Sequence, residues 1–326
     1  MARVLVTGAG GFIGRRLAAA LRSRPFVSVG ERKEPISELW LTDRGAVEVP
    51  EGEPRTFCVA GDLSEPGFIE TLSERGFDSV FHLASTLTLD AERDPIGAFA
   101  NNVEPLRQWL EKCRHPHQRV VYASSIAVFG GHLPETVTDL VRPTPATTYG
   151  THKAICELLL ADYSRQGFVD GRSLRLPIVL VREGSPTPAV SDRIAALVRE
   201  PLSGRDTECP LSMDTPIPVA SVGNVVANLI AIHELSAKVL PQSRVMNLPA
   251  LTVSVGEILH ALKAHAALAR VGHVRIVPDP VIEKIVADWP KRFVSQDATR
   301  LGLLTEGDFA EIIADYLSHR SGDHDA

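Results

Sequence analysis

The first fourteen residues limit the fold of this chain more than any other segment. An apolar run from Val4 to Val6 is followed by three glycines at three-residue spacing, Gly8, Gly11 and Gly14, and then by an alanine- and leucine-rich stretch. The apolar run predicts a buried strand, and the stretch after the glycines predicts a helix. Such a loop permits a tight turn, close approach of the backbone to a pyrophosphate, and close helix–strand packing. The segment therefore predicts a dinucleotide-binding α/β domain with the phosphates at the helix N-terminus.

The first half of the chain alternates apolar runs with helical segments, as in a doubly wound parallel sheet. After the first strand, strands are predicted at residues 39–43, 56–62, 79–85 and 119–125, and from Ser173 onward. Asn101 and Asn102 predict the start of a helix running towards Lys112, with asparagine as its N-cap. Residues 25–38 predict a loop insertion.

Beyond Pro177 the alternation loosens and proline becomes frequent. A chain of 326 residues with 44% hydrophobic content is long enough for one large domain or one and a half. We therefore expect an NAD-binding Rossmann domain over residues 1–177, to which residues 215–245 return. Residues 178–214 and 246–326 are expected to form a smaller substrate-binding region.

The end of the predicted second strand indicates which dinucleotide is bound. The carboxylate of Asp43 can accept hydrogen bonds from the adenosine ribose hydroxyls and would repel a 2′-phosphate. Asp43 therefore predicts NAD rather than NADP. It lies farther from the glycines than the usual twenty or so residues, which the insertion at residues 25–38 explains. A solvated loop aspartate is the alternative reading, and Arg44 beside it leaves NADP open.

Composition and charge exclude several classes of protein. The net charge of −6 and the absence of a basic run argue against nucleic acid as a partner. No apolar stretch is long enough to span a bilayer. The glycines, together with Arg15 and Arg16, interrupt the apolar N-terminus too early for a signal peptide. We expect a cytoplasmic protein with no membrane partner.

The four cysteines are isolated in sequence and predict reduced thiols in the core: Cys58, Cys113, Cys156 and Cys209. His115 and His117 lie near Cys113, but in a predicted loop without a second pair of ligands. Surface histidines, and no metal site, are predicted there.

Tyr149 and Lys153 form the pattern with the most direct chemical meaning. Residues four apart share a helix face, so the phenol and the ammonium can act on the same substrate. A free tyrosine has a pKa of about 10, and a cation held against the phenolate would lower that pKa. The pair predicts a general base and the group that activates it. The same spacing also occurs in ordinary exposed helix pairs.

Polar residues end several predicted strands, where an open α/β sheet binds its ligand. Asp62 and Ser85 end the third and fourth strands, and Ser124 and Ser125 end the fifth. A serine at this edge can orient a substrate oxygen, or it can be a cap or turn residue. Because Tyr149 is predicted nearby, we expect at least one of Ser124 and Ser125 to contact the substrate.

Together these motifs resemble the extended short-chain dehydrogenase/reductases, the NAD-dependent epimerase/dehydratase family. The segments that carry the resemblance are residues 7–14, 61–63, 82–85, 102–103, 124–125 and 149–153. They cover roughly the first half of the chain, and their combination is highly specific. The resemblance implies NAD as the cofactor, a small-molecule substrate and a homodimer formed through the helix that carries Tyr149.

The resemblance also implies roles for individual residues. Tyr149 would accept or donate the proton, Lys153 would hold the nicotinamide ribose and lower the pKa of Tyr149, and Ser125 would be the catalytic hydroxyl residue. The implied cofactor-binding residues are Gly8, Gly11, Phe12, Ile13, Gly14, Asp43, Asp62, Leu63, Leu83, Ala84, Ser85, Asn102, Tyr149, Lys153 and Pro177. The implied substrate-binding residues are Thr86, Ser124, Ser125 and Tyr149.

The fold alone does not choose the reaction, because the family includes sugar-nucleotide epimerases, dehydratases and dehydrogenases. Residues 175–184 lack the asparagine and Gly-Pro that usually follow this strand in enzymes of nucleotide sugars. Residues 199–204, 288–290 and 298–302 resemble the branch of D-erythronate dehydrogenases, which oxidise the C2 hydroxyl of a four-carbon sugar acid with NAD. We therefore expect an NAD-dependent oxidoreductase of carbohydrate metabolism that acts on a small polyhydroxy substrate.

One departure from that branch concerns the substrate carboxylate. Residues 214–221 contain neither the arginine nor the tryptophan typical of the branch, and a carboxylate leaving water needs a cation or several N–H donors. Arg182, Arg193 and Arg205 are candidate replacements. The alternative functions are a sugar-nucleotide epimerase or dehydratase, a biosynthetic ketoreductase and, in another class, a non-catalytic dinucleotide sensor. The complete set of catalytic residues argues against the sensor.

Overall fold

The computed structural model describes residues 1–112, 115, 117–180, 190–266 and 271–320. The chain forms two compact units. The first contains Met1–Val128, Pro145–Arg175 and Val226–Met246, and the second contains Phe129–Thr144, Leu176–Val225 and Asn247–Ala326. Compared with the ranges expected from the sequence, residues 129–144 group with the second unit, and the returning segment begins at Val226. The assignment of cofactor and substrate binding to separate regions stays a prediction.

The strands in chain order are β1 (Ala2–Thr7), β2 (Phe26–Val29), β3 (Arg32–Asp43), β4 (Thr56–Ala60), β5 (Ser79–His82), β6 (Arg119–Ser125), β7 (Thr136–Val137), β8 (Asp170–Leu176), β9 (Ile178–Leu180), β10 (Thr207–Cys209), β11 (Pro216–Ser221), β12 (Val245–Asn247), β13 (Leu251–Ser254), β14 (Val274–Ile276) and β15 (Arg292–Phe293).

The helices in chain order are α1 (Phe12–Arg22), α2 (Phe68–Ser73), α3 (Thr88–Arg93), α4 (Pro95–Asn102), α5 (Glu104–Lys112), α6 (Thr148–Arg165), α7 (Val190–Leu202), α8 (Val222–Glu234), α9 (Val255–Ala266), α10 (Pro280–Ala287), α11 (Gln296–Arg300) and α12 (Phe309–Arg320). A 3-10 turn at Ile126–Val128 follows β6. None of the helices in the described ranges combines the length and apolar character needed to cross a bilayer.

The large sheet has the strand order of a doubly wound fold, β12-β8-β6-β5-β1-β3, with β2 and β4 both paired to β3. Strands β1, β3, β4, β5 and β6 pair in parallel. From β1 the chain builds outward through β3 to β4, and then returns to β5 on the other side of β1. Ligands bind such sheets at the carboxyl ends of the strands beside this reversal. The predicted Rossmann α/β fold is confirmed.

Residues 25–38 were expected to be a loop insertion, and this expectation is wrong. They form a hairpin in which β2 pairs antiparallel with the first residues of β3, so that Phe26 lies opposite Pro35. The two-residue connection begins with Gly30, whose φ of 57° suits a tight hairpin. Pro35 lies near the start of β3, before the pairing with β1 begins at Ile36, and a strand tolerates proline where one of its edges is unpaired.

Both faces of the sheet are covered, as a parallel sheet requires. Val80 of β5 belongs to a buried cluster with Leu106 and Trp109 of α5. The next residue, Phe81, stacks on the ring of His233 in α8, with ring centroids 5.0 Å apart. Successive residues of a strand point to opposite faces, so these contacts identify one helical layer on each side.

Several other local expectations are corrected by the structure. Asn102 does not begin a helix, because it is the last residue of α4, whose N-cap is Asp94. The sixth predicted strand begins at Asp170, before Ser173. Cys58 is exposed rather than in the core, whereas Cys156 and Cys209 are buried. Cys113 lies outside the described residues.

The second unit has its own core and, among its described residues, three small sheets. The strands β13, β11 and β9 form one sheet, β10 pairs with β14, and β15 pairs with β7. Buried residues of α7, α9, α10 and α12 pack into a single cluster that includes Ile194, Ile258, Ile282 and Ile312.

Candidate active site

The glycine loop joins β1 to α1 as the sequence predicts. Gly8 has a φ of 69°, and a Cβ atom there would lie 2.7 Å from the backbone nitrogen of Ala84. A Cβ atom on Gly14 would lie 2.1 Å from the Gly8 carbonyl oxygen. The first glycine therefore permits both the turn and the approach of the loop after β5. The last lets helix α1 approach the turn.

The N-terminus of α1 is suited to an anion. Gly11 is the N-cap, no side chain caps the helix, and its first turn carries no acidic residue. The first N–H groups of a helix and its dipole favour a phosphate at this position. Phe12 and Ile13, both partly buried, form the first turn.

Asp43, at the end of β3, lies beside the glycine loop. One carboxylate oxygen accepts the N–H of Gly10 at 2.9 Å, and the other accepts the N–H of Arg44 at 2.8 Å. The hairpin therefore lengthens the sequence separation without moving Asp43 away from the loop.

Asp62 lies two residues beyond β4, and its carboxylate is bound by two neighbouring side chains. It accepts hydrogen bonds from Ser64 and pairs with Arg44 at 2.9 Å. These contacts hold the pKa of Asp62 below its usual value against the opposing effect of burial. Leu63, next in the chain, packs in the core of the first unit.

The loop after β5 contains the predicted residues Leu83, Ala84, Ser85 and Thr86, and the side chain of Asn102 holds it in place. The Asn102 oxygen accepts the Thr86 N–H at 2.6 Å and the Ser85 hydroxyl at 3.2 Å. Its amide nitrogen donates to the Thr86 carbonyl at 3.0 Å. Asn102 is buried, so it supports this loop rather than reaching outward from it.

The N-terminal turn of α6 positions Tyr149 near the end of β6. Thr147 is the N-cap, and its hydroxyl accepts the Gly150 N–H at 3.0 Å. A Cβ atom at Gly150 would lie 2.0 Å from the Ala127 carbonyl oxygen in the turn after β6. This close contact sets the first turn of α6 against the end of β6, where Ser125 lies.

Ser125, Tyr149 and Lys153 converge within the first unit. The Ser125 hydroxyl lies close enough to the Tyr149 phenol to lower its pKa, and Ser125 Oγ accepts the Ala127 N–H at 3.1 Å. The ammonium of Lys153 lies 5.4 Å from the centroid of the Tyr149 ring and donates to the Ala123 carbonyl at 2.7 Å. Two consecutive turns of α6 thus face the carboxyl end of β6.

The expected lowering of the tyrosine pKa is not seen in this geometry. Burial raises the pKa of Tyr149 to about 12, and the hydrogen bond from Ser125 only partly opposes it. Burial also lowers the pKa of Lys153 to about 8. Desolvation of the charged forms dominates here, because the ammonium lies over the ring face and is bonded to a backbone carbonyl rather than to the phenolate oxygen.

Ser124 was expected to line the substrate pocket, but the structure places it in the core. It is buried, and its hydroxyl donates to Glu157 at 2.5 Å. Adjacent residues of a strand point to opposite faces, so only one of the two serines can share a face with Tyr149. That residue is Ser125. Pro177 is buried between β8 and β9, in the second unit.

Three buried polar residues around Lys153 and Asn102 were not predicted from the sequence. His82 shares a hydrogen bond of 2.9 Å with Thr7, and His152 shares one of 3.4 Å with Asn102. Glu157 lies one turn beyond Lys153 and binds Arg175. The helical spacing that links Tyr149 to Lys153 continues to position 157, so this residue could have been found from the sequence.

Comparison with known proteins agrees with this geometry. Residues 4–236 match the model of the NAD dependent epimerase/dehydratase family. The chain belongs to this family. A member of the epimerase/dehydratase family is an NAD-dependent enzyme of the extended short-chain dehydrogenase/reductase type. The glycine turn, the open N-terminus of α1 and Asp43 fit the pyrophosphate and adenosine ribose of NAD.

Two relatives resemble this epimerase/dehydratase family member along almost its whole length. D-erythronate dehydrogenase of Haemophilus influenzae is 37% identical, with 97% of this chain and 99% of that protein covered. D-erythronate dehydrogenase of Cupriavidus necator is 39% identical, with 96% and 97% covered. A crystal structure described as the nucleoside-diphosphate-sugar epimerase from Agrobacterium tumefaciens has a TM-score of 0.91 at 34% identity, covering 98% of this chain and 95% of that one.

Proposed function

We propose that this protein oxidises a secondary hydroxyl group of a small polyhydroxy acid with NAD, as its D-erythronate dehydrogenase relatives are named to do. The observation that carries the chemistry is the convergence of Tyr149 with the Ser125 hydroxyl and with the Lys153 ammonium, which lies 5.4 Å from the centroid of the Tyr149 ring. The observation that supports the substrate class is the match to those two relatives along nearly the whole of each protein.

In the proposed mechanism each of the three side chains acts on the substrate oxygen or on the proton it loses. Ser125 Oγ holds the oxygen, and Tyr149 Oη accepts its proton in the oxidative direction and returns it in reduction. Lys153 supplies the positive charge that stabilises the phenolate. Bound NAD supplies the hydride acceptor. Because the pKa of Tyr149 is raised to about 12, the phenol is ready as an acid. Oxidation should become faster as the pH rises until Lys153, whose pKa burial lowers to about 8, loses its charge.

The three arginines suggested by the sequence as partners of the substrate carboxylate differ in their surroundings. Arg205 is paired with Glu200 at 2.6 Å, and Arg182 lies outside the described residues. Arg193 on α7 is exposed, and within the described part of the chain it has no ion pair. The assignment of the carboxylate anchor among these three arginines therefore stays a prediction.

The substrate test uses purified protein with NAD and a panel of D-erythronate, longer aldonates and a UDP-hexose. We expect absorbance of reduced nicotinamide to rise with a sugar acid and calorimetry to detect binding of that acid to the NAD-loaded protein. Tyr149→Phe, assayed in parallel, should bind the acid but reduce NAD roughly 10²-fold or more slowly.

Nucleotide-sugar epimerisation is the second candidate, because the Agrobacterium tumefaciens structure carries that description. An epimerase returns the hydride to its substrate, so reduced nicotinamide does not accumulate. Binding of the UDP-hexose alone, with interconversion of its sugar and no net reduction of NAD, would contradict the sugar-acid assignment.

We also propose that the protein is a homodimer formed through α4 and α6. These helices expose Ile96 (85%), Phe99 (43%) and Leu158 (72%), apolar side chains that a partner would cover. Sedimentation of Leu158→Lys should show monomers, whereas Leu140→Lys, at a residue that is 95% exposed elsewhere, should sediment like the native protein. Cytoplasmic location and a role in carbohydrate metabolism stay predictions.

A further inference from the structure

Glu157 is a buried carboxylate that the proposed mechanism does not use. It is 3% exposed and lies on α6 four residues beyond Lys153 and eight beyond Tyr149. Positions at this spacing share one helix face. Its two oxygens accept hydrogen bonds from Ser124 Oγ at 2.5 Å and from Arg175 Nε and Nη2 at 2.8 Å each.

These contacts extend a series that joins α6 to the end of β6. Lys153 donates to the carbonyl of Ala123, Glu157 accepts from Ser124, and Tyr149 lies beside Ser125. Three successive turns of the helix therefore face three consecutive residues of the strand, and two of these turns are hydrogen-bonded to it. The Glu157–Arg175 ion pair also joins α6 to β8. Helix α6 is therefore bonded to two strands, β6 and β8, within two turns of Tyr149.

Glu157 also differs in charge from the other groups around Lys153. In the described structure, the titratable groups that act on Lys153 or face it are His82 of β5, Tyr122 of β6, and Tyr149, Cys156 and Glu157 of α6. Burial keeps the first four neutral at pH 7. It lowers the pKa of His82 to about 3, raises that of Cys156 to about 11 and raises those of both tyrosines. Glu157, which forms an ion pair with Arg175 of β8 at 2.8 Å, is the acidic side chain of this group.

A contribution to folding stability does not explain the buried Glu157–Arg175 ion pair. Buried ion pairs contribute little net stability, because desolvation of both charges offsets their attraction. A carboxylate placed one turn from a buried lysine has a direct electrostatic effect on it, since charges interact strongly where water is excluded.

We propose that Glu157 is a positioning residue of the active site, which aligns Tyr149 and Lys153 over the end of β6 and provides the buried counter-charge of Lys153. The proposal rests on the function proposed above, in which Lys153 acts as a cation beside the tyrosine. It predicts that Glu157 controls the pH range in which Lys153 keeps its charge.

The first test compares the pH profiles of kcat for the native enzyme, Glu157→Gln, Glu157→Asp and Ser124→Ala. Glu157→Gln keeps a hydrogen-bonding group but removes the charge. We expect kcat to fall about tenfold or more and its decline at alkaline pH to begin about one pH unit earlier, while KM for the substrate changes little. Glu157→Asp should restore most of the alkaline activity.

Ser124→Ala is the matched control, because it removes one hydrogen bond to Glu157 and leaves both charges. Its alkaline limb should stay at the native position even if kcat falls. A uniform loss of kcat in Glu157→Gln at every pH, with no displacement of that limb, would reduce Glu157 to a packing role and overturn the proposal.

A second measurement needs no substrate. The proton NMR signals of the lysine side chains, in protein carrying ¹³C-lysine, can be followed against pH, with the Lys153 signal assigned by its loss in Lys153→Met. We expect the native midpoint near pH 8, a lower midpoint in Glu157→Gln and a near-native midpoint in Glu157→Asp.

If Glu157→Gln does not fold, the double variant Glu157→Gln/Arg175→Gln avoids an unpaired buried guanidinium. The midpoint should still fall, because Glu157, and not Arg175, is among the groups whose charge acts on Lys153. An unchanged midpoint in a folded variant overturns the proposal. Failure of the native enzyme on every sugar acid would instead count against the proposed function, and the NMR midpoint would still decide the role of Glu157.

Discussion

Burial makes the phenol proton of Tyr149 hard to remove. The catalytic role of Tyr149 can be tested by removing its phenol oxygen alone. Tyr149→Phe should lower turnover by roughly 10²-fold or more, the usual contribution of general acid–base catalysis, and should leave NAD affinity nearly unchanged. Lys153→Met should reduce both quantities, because its ammonium is assigned to the ribose as well as to the tyrosine. Steady-state kinetics and NAD titration measure the two effects.

The same substitution elsewhere on α6 provides the control. Tyr163 packs against Phe168, with ring centroids 5.8 Å apart, and Tyr163→Phe should keep native turnover. Retention of more than about a third of the native rate by Tyr149→Phe, with chemistry rate-limiting, would mean that another group moves the proton.

Asp43 should set the preference for NAD by repelling a 2′-phosphate. Asp43→Asn keeps an acceptor for the Gly10 N–H but removes the charge. We expect the ratio of kcat/KM for NAD to that for NADP to fall about tenfold, which corresponds to about 1.4 kcal/mol.

Asp78→Asn is a suitable comparison for this experiment. Its carboxylate accepts the N–H of Arg3 at 2.8 Å, and Arg3 lies near the start of β1, away from the glycine loop. The ratio should not change in this variant. A native preference for NADP would contradict the assignment of Asp43.

At the scale of elements, the start of α6 depends on the contact between Gly150 and the turn after β6. Gly150→Ala would place a methyl group 2.0 Å from the Ala127 carbonyl oxygen, so the helix must move away. We expect a loss of about 1–3 kcal/mol in the free energy of unfolding. Turnover should fall more than NAD affinity, because Tyr149 moves with the helix.

Denaturant unfolding and kinetics on Gly150→Ala can be compared with Thr151→Ala on the same helix. Thr151 is exposed, so its replacement should change stability by less than about 0.5 kcal/mol. Native stability and turnover in Gly150→Ala would show that the contact does not position α6.

At the scale of the whole molecule, two buried histidines should make stability depend on pH. Burial lowers the pKa of His82 to about 3 and that of His233 to about 4, from an unfolded value near 6.5. The unfolded chain therefore binds more protons between these values. The stability due to each neutral histidine is complete above pH 6.5 and is lost as the pH falls toward the folded pKa.

We expect the free energy of unfolding to fall between pH 6.5 and pH 5, before most carboxylates titrate. Urea unfolding at several pH values measures this slope. His233→Gln should make the slope shallower, whereas His132→Gln, at an exposed histidine, should leave it unchanged. Equal slopes in all three proteins would show that His233 is not the titrating group.

Some features of this molecule follow from the sequence because they depend on local pattern. The spacing of Gly8, Gly11 and Gly14 predicts the turn and the helix after it, since a tight turn and a close backbone approach require glycine at those positions. The pairing of Tyr149 with Lys153 follows from helical periodicity. The starts of β4, β5 and β6 follow from short apolar runs after turn residues, whereas β4 and β5 end before the predicted Asp62 and Ser85.

Other features were decided only by the tertiary structure, because they depend on partners distant in sequence. Residues 25–38 form a hairpin since β3 extends beyond its pairing with β1. Asn102 holds the loop after β5, a role that its place in the chain does not reveal. Ser124 and Ser125 are adjacent, yet only the sheet decides which one meets Tyr149. The pKa of Tyr149 is raised because burial outweighs the nearby charge, and burial is a property of the folded protein.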